Sequence, residues 1–183
     1  MKFKMNPKGM MRLRLNFLPI FIVILFACAT IPTKTYEETI SEWKSYKDVA
    51  TWMDRHFSYD MARFREAERR GHSYVPARKP EETFKLKSGV CYDAAFFAKI
   101  TLNLIDPSYE AKVVFIENRP YGVSHYVCSF EKGGKLYIMD YGTPYRNMVG
   151  VHGPFNSLEE YKKYYERHHP TNKHVQAIYY VGY

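Results

Sequence analysis

The stretch SHYVCSFEKGGKLYIMDYG, residues 124–142, decides the fold. Two β-like runs flank Gly133-Gly134, and a Gly-Gly pair between such runs is the signal of a two-residue hairpin turn. With that turn, Lys132 stands opposite Lys135 and Val127 opposite Asp140. His125 shares the face of Val127 and lies diagonal to Asp140. Diagonal neighbours are ~7–8 Å apart, within reach of a His–carboxylate hydrogen bond. Cys128 points to the other face of the sheet. A slip of one residue would put His125 and Asp140 on opposite faces, so the pairing register carries the reading.

Upstream, SGVCYDAAFFAKI (88–100) begins where a loop ending in Gly89 meets an alanine-rich, helix-favouring run. The spacing predicts a helix from Cys91 to Ile105, stopped by Asp106-Pro107. A cysteine in the first turn of a helix sits where the dipole and the free backbone N–H groups favour a thiolate. Its own N–H is then placed to hold a developing oxyanion. Cys91, His125 and Asp140 together form a candidate nucleophile, base and orienter.

The remaining segments predict helices and strands around this hairpin. Residues 36–57 carry Ile40, Trp43, Val49, Trp52 and Met53 at helix-packing intervals. Residues 60–71 read as a charged, solvated helix, and 72–88, with Pro76 and Pro80, as a loop. A strand is expected over 111–117, a turn over 118–122 and a loop over 150–154. Ser157 and Glu160 form an S-x-x-E capping box opening a helix that stops before Pro170, and 174–183 reads as a closing strand. Helices followed by an antiparallel sheet make the fold class α+β.

The net charge of +8 in 183 residues misleads. Residues 1–28 hold Lys2, Lys4, Lys8, Arg12, Arg14 and no acid, so the remaining 22 basic and 19 acidic residues leave only +3. A body so nearly balanced argues against a nucleic-acid partner. The basic start is followed by an apolar stretch from Phe17 to Ala27. That stretch is too short for a spanning helix, which needs ~20 residues, and suits a signal peptide. Leu25-Phe26-Ala27-Cys28 resembles a bacterial lipoprotein box, which implies lipidation at Cys28. The alternative is secretion with cleavage at Ala27-Cys28-Ala29, an A-x-A site, and Met10 or Met11 are alternative starts. The expected organisation is a signal peptide over 1–28, a tether over 29–35 and one domain over 36–183. Export would place Cys91 and Cys128 in an oxidising compartment where a disulfide is open to them, but their positions on the elements argue against the bridge.

Two further groups of residues bear on the chemistry. His168, His169 and His174 lack a metal-site spacing and read as a polar helix end and strand start, so no metal or cofactor is expected. Tyr59, in HFSYD, is read either as a second oxyanion donor or as a packing residue.

Gly89-Val90-Cys91 at a helix start, followed by His125 and fifteen residues later by Asp140, resembles the transglutaminase-like superfamily over about residues 36–143. The resemblance implies a papain-like core with N-terminal helices packed on an antiparallel sheet. It also implies acyl transfer through a thioester at Cys91, with His125 as base and Asp140 as orienter. Tyr92 and Val127 stand where animal transglutaminases carry tryptophans, and Thr143 falls one place later than in the usual D-P-T, which points to hydrolysis rather than cross-linking. The expectation is therefore an exported, lipid-anchored cysteine hydrolase acting on peptide or protein amide bonds, with its membrane contact made through the lipid on Cys28. The alternative is a catalytically silent lipoprotein adaptor that binds peptide with the same fold.

Overall fold

Gly133 and Gly134 both take positive φ, 60° and 69°, the left-handed pair that a tight hairpin turn of this hand requires. The turn joins β4 (His125–Lys132) to β5 (Lys135–Asp140), and Lys132 pairs with Lys135 and Cys128 with Met139, the expected register. The computed structural model describes residues 34–71 and 75–182, all within the compact unit Thr33–Tyr183. Cys28 and the leader lie outside the described residues.

β3 (Lys112–Glu117) pairs antiparallel with β4 on one side and with β7 (Ala177–Val181) on the other. β6 (Gly150–Phe155) pairs with β5, giving a five-stranded antiparallel sheet of order β6-β5-β4-β3-β7. Residues 150–154, expected as a loop, are thus an edge strand. Gly153 and Pro154 are tolerated there because an edge strand need not donate every N–H and its register shifts near Leu136 and Ile138.

The period of two divides the sheet between two cores. Cys128, Phe130 and Met139 face α5 (Cys91–Ile105), α2 (Tyr46–His56) and α1 (Tyr36–Glu42), packing on Phe97, Leu102, Val49 and Trp52. The alanines at 94, 95 and 98 are buried and let α5 lie close on the sheet. Val127, Ile138, Val114 and Ile116 face the other way, toward Tyr161 and Tyr165 of α6 (Leu158–His168). Helices therefore cover both faces of the sheet, and the fold is α+β.

The segment 36–57 is two helices rather than one. Ser45 caps α2, and the Asp48 carboxylate returns to accept the Ser45 N–H at 2.9 Å, so the chain restarts instead of continuing. Within 72–88, expected as a loop, α4 runs from Pro80 to Leu86; Pro80 marks its first turn, where a missing N–H costs nothing. α3 spans Met61–Arg70. At α6 the Ser157 hydroxyl accepts the Glu160 N–H, while the Glu160 carboxylate accepts from Asn156 N–H at 2.7 Å rather than from the cap residue itself. Among the described residues no helix is long and apolar enough to cross a membrane.

Candidate active site

Cys91 is the first residue of α5, and a buried carboxylate two residues on sets that start. Asp93 is fully buried and accepts the Val90 N–H at 2.9 Å, the Arg78 N–H at 2.8 Å and the Arg63 Nε–H at 2.7 Å, with Arg63 Nη2 at 3.1 Å. One carboxylate thereby holds α3, the approach to α4 and the turn into α5 together. Gly89 leaves room for it: a Cβ there would stand 2.6 Å from the Asp93 Cβ. β1 (Ser58–Tyr59) pairs in parallel with β2 (Ser88–Gly89), which sets Tyr59 beside the turn that carries Cys91.

The hairpin supplies the partners. His125 opens β4, Asp140 closes β5, and His125 Nε2 lies 2.8 Å from Asp140 Oδ2. The imidazole side chain is 11% exposed and the carboxylate 1%. Burial alone would lower the pKa of His125. The Asp140 carboxylate, by charge and by hydrogen bond, and the neighbouring Cys91 thiol outweigh it and hold the imidazole well above its ordinary range. With Nε2 committed to Asp140, Nδ1 is the nitrogen left for Cys91. The Tyr165 ring stacks over His125 with centroids 6.3 Å apart.

Gly142, just past β5, closes the arrangement. A Cβ there would collide with the Cα of Cys91 and stand 3.1 Å from its backbone nitrogen, so only glycine lets the chain pass so close. The three residues singled out in the sequence therefore meet at one end of the sheet.

Cys91, His125, Tyr59, Tyr145, His169 and Asn172 line a common cavity of about 370 Å³. A second cavity of about 240 Å³ also reaches Cys91, along Tyr92, Phe115, Tyr126 and Arg119. The Tyr59 hydroxyl titrates far above its ordinary value, first through burial and then through the charge at Cys91, so it stays an O–H donor. It both packs against Val90, Cys91 and Tyr92 and lines the cavity wall.

Cys91 and Cys128 are both free. Cys128 is wholly buried on the sheet face that packs on α5, turned away from His125, and burial pushes its thiol far up. The three histidines go separate ways: His168 Nδ1 is 2.8 Å from the Tyr164 carbonyl, His174 packs edge-on against Tyr121, and His169 turns inward. Among the described residues no group of three or more His, Cys, Asp or Glu is placed to hold a metal ion. Sequence reasoning missed Asp93 and Gly142, and placed His169 only at a polar helix end. The D at the third position of α5 is a readable capping signal for the first; Gly142 has none.

Among curated proteins, none matches the sequence. A solved structure described as the crystal structure of a TGase is similar at 15% identity with a TM-score of 0.44, covering 69% of this chain; the chain spans 31% of that protein's length. The family model described as a transglutaminase-like domain matches residues 29–165, well over half of the chain, and the chain belongs to the transglutaminase-like domain family.

Proposed function

We propose that the protein is an exported, lipid-anchored cysteine hydrolase that cleaves amide bonds of peptides or proteins through Cys91, His125 and Asp140. The observation that carries the reading is the His125–Asp140 pair at 2.8 Å, set beside a helix-start cysteine in a shared cavity. In the reaction, Cys91 Sγ attacks the amide carbonyl carbon. The oxyanion is held by the Cys91 backbone N–H and the Tyr59 hydroxyl. The His125 imidazolium gives its proton to the leaving nitrogen, the C–N bond breaks, and a thioester remains. His125 then takes a proton from water, the hydroxide attacks the thioester, and Cys91 leaves as thiolate with release of a carboxylic acid. Asp140 holds the imidazole in one tautomer throughout.

The anchoring rests on the basic leader, the apolar stretch 17–27 and Cys28 directly after it. Mass spectrometry of the mature N-terminal peptide tests it: a diacylated or triacylated Cys28 is expected, and a chain beginning at Thr30 would overturn it. Turnover on a peptide-amide library tests the chemistry. Cys91→Ala and His125→Ala should each abolish it, with non-additive losses, because nucleophile and base act as a unit. Asp140→Asn should lower it by up to ~10⁴-fold, the cost of the wrong tautomer in the serine-protease template. A folded Cys91→Ala variant with full turnover would overturn the mechanism. A wild-type protein that binds peptides without turning any over would identify an adaptor.

A further inference from the structure

We propose that His169 is a substrate-binding donor whose Nε2–H, in the cavity it shares with Cys91, holds a backbone carbonyl oxygen of the peptide flanking the amide under attack. The proposal rests on the nucleophilic reading of Cys91 and deepens it by naming what the α6–β7 side of the cavity recognises.

The tautomer of His169 is fixed by its backbone surroundings. The residue ends α6 with φ −63° and ψ 133°, and its N–H donates to the Tyr165 carbonyl at 2.8 Å. Pro170 follows and disfavours continuation of the helix, so the chain turns back on the ring. Nδ1 then accepts the Asn172 N–H at 2.8 Å and the Thr171 N–H at 3.2 Å, and lies 3.4 Å from the Thr171 hydroxyl. A ring nitrogen that accepts backbone N–H groups carries no proton, so the proton of the neutral imidazole sits on Nε2. Burial first, and then the positive His125, lower the His169 pKa to about 4, which keeps the ring neutral near pH 7. The donor is therefore uncharged and suits a neutral acceptor such as an amide carbonyl better than a carboxylate.

The ring is held between two tyrosines. His169 is 3% exposed, with the Tyr145 ring 4.7 Å away on edge and the Tyr165 ring 4.8 Å away. The described hydrogen bonds to the ring all fall on Nδ1, and the residue lines the cavity it shares with Cys91. The wall around it is preformed. Asn172 Nδ2 donates to the Val123 carbonyl at 3.2 Å and to the Tyr165 hydroxyl at 3.3 Å, and a side chain on Gly122 would collide with the Asn172 carboxamide. Tyr121 and Val123, 72% and 50% exposed, give the rim an apolar face on which a peptide can lie. His169 and Asn172 lie past residue 165, where the family match ends, while Tyr121, Gly122, Val123 and Tyr145 lie within it.

The test compares labelling of Cys91 in the full-length protein by a dipeptide chloroacetamide and by two analogues in which each backbone amide in turn is replaced by a trans-alkene. Iodoacetamide serves as the arm-free control. One alkene analogue should label Cys91 about tenfold more slowly than the parent, the effect of one lost hydrogen bond. His169→Phe should remove that difference, and His169→Gln, which keeps an N–H donor near the Nε2 position, should restore part of it. In wild-type protein with ¹⁵N-labelled histidine, the His169 Nε2–H resonance should shift in the parent adduct and not in that alkene adduct, a readout that needs no variant. Equal rates for all three probes, or a difference that survives His169→Phe, overturns the assignment and leaves the Cys91 reading standing. Failure of iodoacetamide to label Cys91 in folded wild-type protein overturns the Cys91 reading and the assignment with it.

Discussion

The chain leaving β5 at Gly142 runs directly against the backbone of Cys91, so close that no Cβ fits between them. This contact ties the start of α5 to the end of the hairpin that carries His125 and Asp140, two elements some fifty residues apart in sequence. Gly142→Ala should force them apart. A displacement of even ~1 Å at a reacting pair costs on the order of 10²-fold in rate, so turnover should fall by about that factor while circular dichroism stays native. An alanine variant with wild-type turnover would show that the close approach is incidental.

The hairpin was legible because the Gly133-Gly134 turn is two residues long and leaves one register, and that register alone places His125 beside Asp140. α5 was legible because its apolar, alanine-rich run has clear stops at both ends. What escaped reading had competing local signals. Pro80 reads as a loop marker, yet proline at the first turn is also how a helix begins. Gly150, Gly153 and Pro154 look like a loop by composition, and only their place at the sheet edge makes a strand of them. The Asp93 cluster joins residues 15 and 30 positions away, a tertiary fact with no periodic trace.

Asp93 is the residue on which the geometry of Cys91 most depends. Its carboxylate is inaccessible and answers four donors, two of them from the largely buried Arg63 guanidinium. Asp93→Ala strands that charge and the Val90 and Arg78 N–H groups. Removing one partner of such a pair typically costs about 3–5 kcal/mol, so urea unfolding should show a loss of that order. Asp93→Asn should cost less, because the amide oxygen still accepts from Val90. Equal stability of the alanine variant and the wild type would remove the cluster from the account.

Acid should weaken the fold through His169. Its folded pKa, about 4, lies below the ~6.5 of an unfolded histidine, so the unfolded chain binds the extra proton first. The contribution of this residue to stability is therefore complete above ~6.5 and is lost as the pH falls from there toward 4. The groups that set the shift, after burial, are His125, Asp140 and Lys173. His125 has the opposite sign: its pKa is raised, so its contribution is complete below ~6.5 and is lost as pH rises through the folded value. Thermal melts between pH 7 and 4 should show a smaller decline for His169→Gln than for wild type. Parallel declines would mean that the ring is not the titrating group in this window.

The two cysteines of the domain should behave as chemically different residues. Cys128 is wholly buried among the side chains that join α5 to the sheet, its S–H lies 3.4 Å from the Ser129 carbonyl, and burial holds it as a thiol. Cys91 lines both cavities that reach the site and has His125 beside it. Only the thiolate attacks an alkylating reagent, so iodoacetamide at pH 7 should modify Cys91 in the folded protein and reach Cys128 only after denaturation. His125→Gln should slow the Cys91 reaction, because it removes the base that shares the thiol proton. Cys128→Ser places a hydroxyl in an apolar cluster and should cost about 1–3 kcal/mol in unfolding free energy, with turnover retained in the fraction that stays folded. Peptide mapping of the alkylated protein reads the first expectation, and urea titration with activity measurements reads the second. If Cys128 is labelled in the folded state as fast as Cys91, or if Cys128→Ser abolishes turnover without unfolding the domain, the reactive thiol has been assigned to the wrong cysteine.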